Sequence, residues 1–163
     1  MIDLIIVSGG QTGVDRGALD AALAAGLSCG GFCPAGRRAE DGRVPGRYPL
    51  TPTTGADYAE RTRANVADSD GTLILCPGAP TGGTGLTMVC CRELDRPFLL
   101  LDPAREDTLA GAGRAAAFVE TARIRRLNVA GPRASDWPGG YRFAYGLISE
   151  LISCLRGSRE VRP

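Results

Sequence analysis

The apolar positions of this chain fall into short uninterrupted runs separated by stretches with a helical rhythm. LIIV (residues 4–7) carries no polar residue and reads as a strand. VDRGALDAALAAG (14–26) then spaces its apolar positions as a helix does, is rich in alanine and closes on Gly26. A short apolar piece at 28–33, SCGGFC, reads as a second strand, and GADYAERTRANVAD (55–68) as a helix. GTLILC (71–76) is apolar almost throughout, as expected of a strand covered on both faces. Helix 84–95, strand 97–101, helix 106–122, strand 125–130 and helix 140–155 continue the alternation. Strand and helix trade places about five times, which predicts an α/β fold with a mostly parallel sheet flanked by helices. No repeat or linker divides the chain, so residues 1–163 are expected to form one domain.

One segment has no clean period. Residues 34–53, PAGRRAEDGRVPGRYPLTPT, hold four prolines, three glycines and four arginines. Loops this long are uncommon in compact domains and often functional. Two readings are open, a solvated surface excursion and a lid that carries Arg37 and Arg38 over a ligand.

Three glycine-bearing loops fall at the carboxyl ends of predicted strands: SGGQTG after the first, PGAPTGGTG after 71–76, and AGPRASDWPGG after the last. In open α/β sheets ligands bind along this edge. Glycine admits positive φ and lets a ligand approach bare N–H groups, while a helix starting there adds its unpaired amides and positive dipole end. Together the loops point to an anion, and phosphate is the natural candidate. A carboxylate at Asp15 would repel phosphate, and Thr12 with Asp15 also fits an N-cap pair needing no ligand. Thr81, Gly82, Gly83, Thr84 and Gly85 include no acid and make the better seat. Arg16 and Asp20, one turn apart, fit a surface pair.

Composition narrows the classes. The chain is 44% hydrophobic and 23% charged, with net charge +1, which gives no electrostatic case for nucleic acid or a membrane surface. No apolar run is long enough to span a bilayer, and the N-terminal residues lack the basic and long apolar regions of a secretory signal, so a cytoplasmic location is expected. There is no histidine, and every basic residue is arginine, a bias that weakens any single arginine as a phosphate signal. The six cysteines form no C-x-x-C pair and no zinc spacing, and read as small buried hydrophobes in a reducing compartment; no metal site is expected. The first loop is G-G-x-x-G with no acid closing the next strand, and no Walker lysine exists, so NAD dehydrogenases and P-loop NTPases are poor readings.

The stretches SGGQTGVDRGALDAAL, CPAGRRAEDGRVPGRYPL, ADYAERTRANVADSDGTLIL, TGGTGLT and LNVAGPRASDWPG together resemble the molybdenum cofactor carrier-like family. That family is a circularly permuted branch of the SLOG superfamily, which also holds the lysine decarboxylase-like phosphoribohydrolases. The resemblance covers about residues 4–153. It implies a Rossmann-like three-layer fold, a phosphorylated ligand such as the molybdenum cofactor or a nucleotide, and a homo-oligomer. Position by position it carries a ligand role to Gly9, Gly10, Gln11, Thr12 and Gly13; to Arg37 and Arg38, with Glu40 and Asp41 beside them; to Thr81, Gly82, Gly83 and Thr84; and to Gly131, Pro132 and Arg133. The related hydrolases have a catalytic glutamate after the Gly-Gly loop, where this chain has Thr87, Met88 and Val89. The first expectation is therefore a binding protein for a phosphorylated small molecule. The alternatives are a nucleoside-monophosphate N-glycosidase using Glu40, Asp41 or Asp136 as acid or base, and a nucleotide-sensing module.

Overall fold

A computed structural model describes residues 2–160; Met1 and residues 161–163, part of the expected domain, lie outside it. Five strands form the central sheet: β1 (Ile5–Val7), β2 (Cys29–Gly30), β7 (Gly71–Leu75), β8 (Phe98–Leu101) and β9 (Arg126–Ala130). Their order is β2-β1-β9-β7-β8, and every pairing is parallel. The expected α/β, Rossmann-like architecture is the one observed. Helices α1 (Val14–Ala24), α4 (Thr108–Thr121) and α5 (Gly140–Glu160) pack together on one face, and α2 (Tyr58–Ala67) and α3 (Gly82–Glu93) on the other.

The core follows from the runs noted above. β7 is buried at all five positions because a helical layer covers each side of it. Each of Leu73, Ile74 and Leu75, fully buried, contributes on the order of 1.5–3 kcal/mol. Alanines 18, 21, 22, 112, 115 and 144 are also buried, which lets α1, α4 and α5 approach closely. All six cysteines are free thiols, four of them buried, as small hydrophobes would be.

The aperiodic segment is an ordered layer and not a solvated excursion. Within it β4 (Arg38–Ala39) pairs antiparallel with β5 (Gly42–Arg43), and β6 (Thr51–Pro52) pairs in parallel with β3 (Phe32–Cys33), the second half of the stretch expected to form one strand at 28–33. Ala39, Val44, Tyr48 and Leu50 pack on Leu19 and Cys33 in a small core of their own. No period could announce this, because each contact comes from a different local conformation.

Arg37 organises the segment. It sits at φ 56. Its guanidinium donates to the carbonyl oxygens of Val44 (3.2 Å), Leu50 (3.0 Å), Pro45 (2.9 Å) and Tyr48 (2.9 Å). A side chain committed to four carbonyls is a brace, so the lid reading fails for Arg37. Arg38 lies 4.5 Å over the Tyr58 ring on the exposed surface.

Candidate anion-binding site

The three glycine loops follow β1, β9 and β7, which are neighbours in the sheet, so their loops meet at its carboxyl edge. There they surround a cavity of about 760 Å³, closed on one side by α2. Such a volume suits a small organic molecule.

The N-terminus of α3 opens onto this cavity. Its N-cap, Thr81, makes no side-chain capping bond, and the first turn has no acid. The first amide to find a helical partner is that of Gly85, which donates to the Thr81 carbonyl at 3.1 Å. By contrast, α2 is capped by Asp57, which accepts from the Ala59 amide at 2.9 Å, and α4 by Asp107, which accepts from the Ala110 amide at 2.8 Å. A β-carbon added at Gly82 or Gly83 would meet nothing within 4 Å. Thr81, Gly82, Gly83 and Thr84 all line the cavity, which gathers unpaired N–H groups and hydroxyls around open space.

The first glycine loop is different. A β-carbon at Gly9 would fall 1.7 Å from Arg61 Nη1, and one at Gly10, where φ is +76, would fall 2.4 Å from Leu50 Cδ1. At Gly13 (φ +81) it would meet the Pro132 carbonyl oxygen at 2.7 Å. These glycines admit other parts of the chain. Gly9, Gly10, Thr12 and Gly13 do not line the cavity, whereas Gln11 does. The Thr12 hydroxyl donates to Glu40 Oε1 and accepts from the Ala134 amide at 3.1 Å, so it ties loops together and does not cap α1. Asp15 does not cap α1 either: the N-cap is Gly13, without a side-chain cap bond, and Asp15 Oδ2 accepts from the Gln11 amide ahead of the helix at 3.2 Å.

Asp15 and Arg61 form an ion pair at 3.2 Å in the cavity wall, both residues lining it. Burial pushes the Asp15 carboxyl above its ordinary range, and the Arg61 charge opposes this. Arg61 Nε is buried without a partner, an orphan donor in a residue that lines the cavity. Sequence reasoning passed over Arg61. The signal was in α2, where positions 58, 61, 62 and 65 make an inward stripe of Tyr, Arg, Thr and Asn instead of aliphatic residues. A polar face turned inward needs partners, and here they are a cavity and β3, whose Phe32 amide and carbonyl are both bonded by Asn65.

The carboxylates proposed for acid–base work are placed otherwise. Glu40 accepts from Ser135 Oγ (2.5 Å), the Ser135 amide (3.2 Å) and Thr12, beside Arg133 at 3.5 Å, and these bonds hold its carboxyl below the usual range. Asp41 takes a two-pronged bond from Arg16 at 2.5 and 2.8 Å, so Arg16 pairs across to the central segment and not with Asp20. Asp20 accepts instead from the Tyr141 hydroxyl at 2.6 Å. Neither Glu40 nor Asp41 lines the cavity; Asp136 does, exposed and bound by Arg133 Nε at 3.1 Å. Gly131 and Pro132 line it too, and Gly131 is also needed for packing, since a β-carbon there would fall 2.3 Å from the Leu75 carbonyl oxygen.

A parallel Rossmann-like sheet with a cavity at its carboxyl edge is the architecture of a small-molecule-binding protein. The chain belongs to the circularly permutated YpsA SLOG family, whose model matches residues 6–152. It is also similar to the crystal structure of a "Putative molybdenum carrier protein" from Syntrophus aciditrophicus SB. The two share 40% sequence identity over 91% of this chain and 94% of the other, with a TM-score of 0.89. No curated protein matches the chain. Among the described residues, no helix is long and apolar enough to cross a membrane.

Proposed function

We propose that the chain binds a phosphorylated small molecule, with the phosphate seated on the N-terminus of α3. One observation carries this reading: α3 offers an uncapped first turn with no acid, whose Gly82 and Gly83 face open space, whereas the equally uncapped α1 carries Asp15 in its first turn. Free amides and the dipole end reward negative charge, and no carboxylate lies in that turn. The name of the Syntrophus protein supports a molybdenum cofactor as cargo. Its phosphate would lie against Gly82, Gly83 and Thr84. Among the described residues no group of three acidic, cysteine or histidine side chains could hold a metal, so the cofactor's own dithiolene would keep the molybdenum. The N-glycosidase alternative keeps only Asp136 of its proposed carboxylates in the cavity.

Gly83→Val tests the proposal. The added side chain meets no protein atom but fills ligand space, so the variant should melt as the parent does and lose affinity by about a hundredfold or more. A phosphorylated ligand should outbind its dephosphorylated form by roughly 1–3 kcal/mol, the range for hydrogen bonds to a charged group. Native mass spectrometry of the purified protein would supply a retained ligand for both titrations. Undiminished affinity in folded Gly83→Val would move the site elsewhere.

A further inference from the structure

Gln11 is 8% exposed, yet its side chain is only half used. Its Oε1 accepts two backbone hydrogen bonds, from the Thr12 and Glu40 amides, each at 3.0 Å. Two N–H donors converging on one atom fix which end of the amide is oxygen, so the orientation follows from the network. The other end, Nε2, has no partner among the described residues, although Gln11 lines the cavity. Nε2 stays accessible from the cavity, because Arg61 Nε is the one buried side-chain nitrogen or oxygen without a partner among the described residues, so a ligand acceptor there would take the place of water. Its backbone amide is also held, by Asp15 Oδ2, the same oxygen that Arg61 Nη1 contacts. Loop, side-chain oxygen and wall are thus all fixed, and only the NH2 group is left to face the cavity.

Its distance from the α3 seat gives the ligand a length. Gln11 follows β1 and α3 follows β7, with β9 between those strands. The strands they follow lie two strand spacings apart, about 10 Å. That exceeds the span of a phosphate group and matches the reach from a phosphate to the far edge of a heterocycle joined to it by a sugar or similar linker.

We infer that Gln11 is a specificity-determining residue that donates from Nε2 to a carbonyl or other acceptor oxygen on the ring of a phosphorylated heterocycle. This rests on the anion-seat reading above and adds a second, separate contact. Ligands with a ring carbonyl at that edge are selected over those with an amino group, because an amino group would set donor against donor.

The test uses calorimetric titration of three probes: inorganic phosphate, inosine monophosphate and adenosine monophosphate. The two nucleotides differ at one edge of the base, carbonyl against amino. Wild type should bind the inosine nucleotide about tenfold more tightly than the adenosine nucleotide, and both more tightly than phosphate. Gln11→Glu keeps an oxygen for the Thr12 and Glu40 amides but replaces the donor with an acceptor, so the ratio should reverse. The ratio is the readout because the new charge weakens every anion alike. Equal affinity for the two nucleotides in wild type overturns the inference, as does a ratio that Gln11→Glu leaves unchanged. Nucleotides no tighter than phosphate would also overturn it. In each of these cases loss of all binding in Gly83→Val leaves the anion seat standing, whereas wild type that binds none of the three probes removes the seat itself. The wild-type ratio decides the matter even if Gln11→Glu fails to fold.

Discussion

The loops SGGQTG and TGGTG look alike on paper, and each ends in a helix beside the same cavity. The structure uses them in opposite ways. In the first, Arg61 lies against Gly9, Leu50 against Gly10 and Pro132 against Gly13, so the absent side chains are replaced by protein. At the start of α1 the chain also fills the space, since the Val14 amide donates to the Pro132 carbonyl at 3.4 Å and Asp15 reaches back to the Gln11 amide ahead of the helix. In the second, Gly82 and Gly83 face nothing and their amides are bare. A glycine-rich turn marks a close approach; the identity of the approaching group, chain or ligand, depends on what the rest of the fold brings there.

Substitution should separate the two loops. Gly10→Val places a β-branched residue at φ +76 against Leu50 and Val44, and strain and overpacking together should cost about 2–5 kcal/mol. Denaturant melts of Gly10→Val beside Gly83→Val check this. The first should lose stability while its folded fraction still binds, and the second should do the reverse. If Gly10→Val instead loses affinity with its melt intact, the glycines of the first loop are ligand surface too and the contrast between the two sets of glycines collapses.

A smaller effect is expected at the central segment. Arg37→Ala leaves four carbonyls without their guanidinium and should cost about 2–3 kcal/mol, given that the side chain is only half buried. Arg38→Ala removes only an exposed contact with Tyr58 and should be nearly neutral to stability. Titration of both should show affinity unchanged for Arg37→Ala. A loss of binding there without a loss of stability would revive the lid.

The smallest effect is a pH dependence. Hydrogen bonds from Ser135 and Thr12 hold the Glu40 carboxyl below its ordinary range. A group whose folded pKa is depressed contributes stability that is fully present above the unfolded value and lost as pH falls through the folded one. Glu40→Gln should therefore flatten the fall in melting temperature below about pH 4.5. A parallel acid profile for parent and variant would show that the tie between the central segment and the Ser135 loop carries no such linkage.

These contrasts explain what could be read from residues alone. Among the described residues, the longer core strands and the helices were legible to within a few residues, mostly because they bury a periodic or continuous apolar face. The expected strand at 28–33 is instead divided between β2 of the central sheet and β3 of the outer layer. The α3 seat was legible too, since TGGTG carries no acid and directly opens a helix. The roles of Arg37, Glu40 and Arg61 were not. Arg37 is fixed by carbonyls from a layer with no period, and Glu40 by residues 28 and 95 positions away. Arg61 depends on Gly9, which lies before α1 with all of β2 to β6 between them, and makes room for its guanidinium. Long-range polar contacts of this kind leave no local pattern, apart from the polar inward stripe of α2.

The most direct test of the central claim is an amide NMR titration of the intact protein with inorganic phosphate. If the second glycine loop is the anion seat and the first is filled by the chain, the largest shifts will fall on the amides of Gly82, Gly83 and Thr84, with Gly9, Gly10 and Gly13 nearly still. Shifts centred on Gly9, Gly10 and Gly13, with α3 unmoved, would contradict the account.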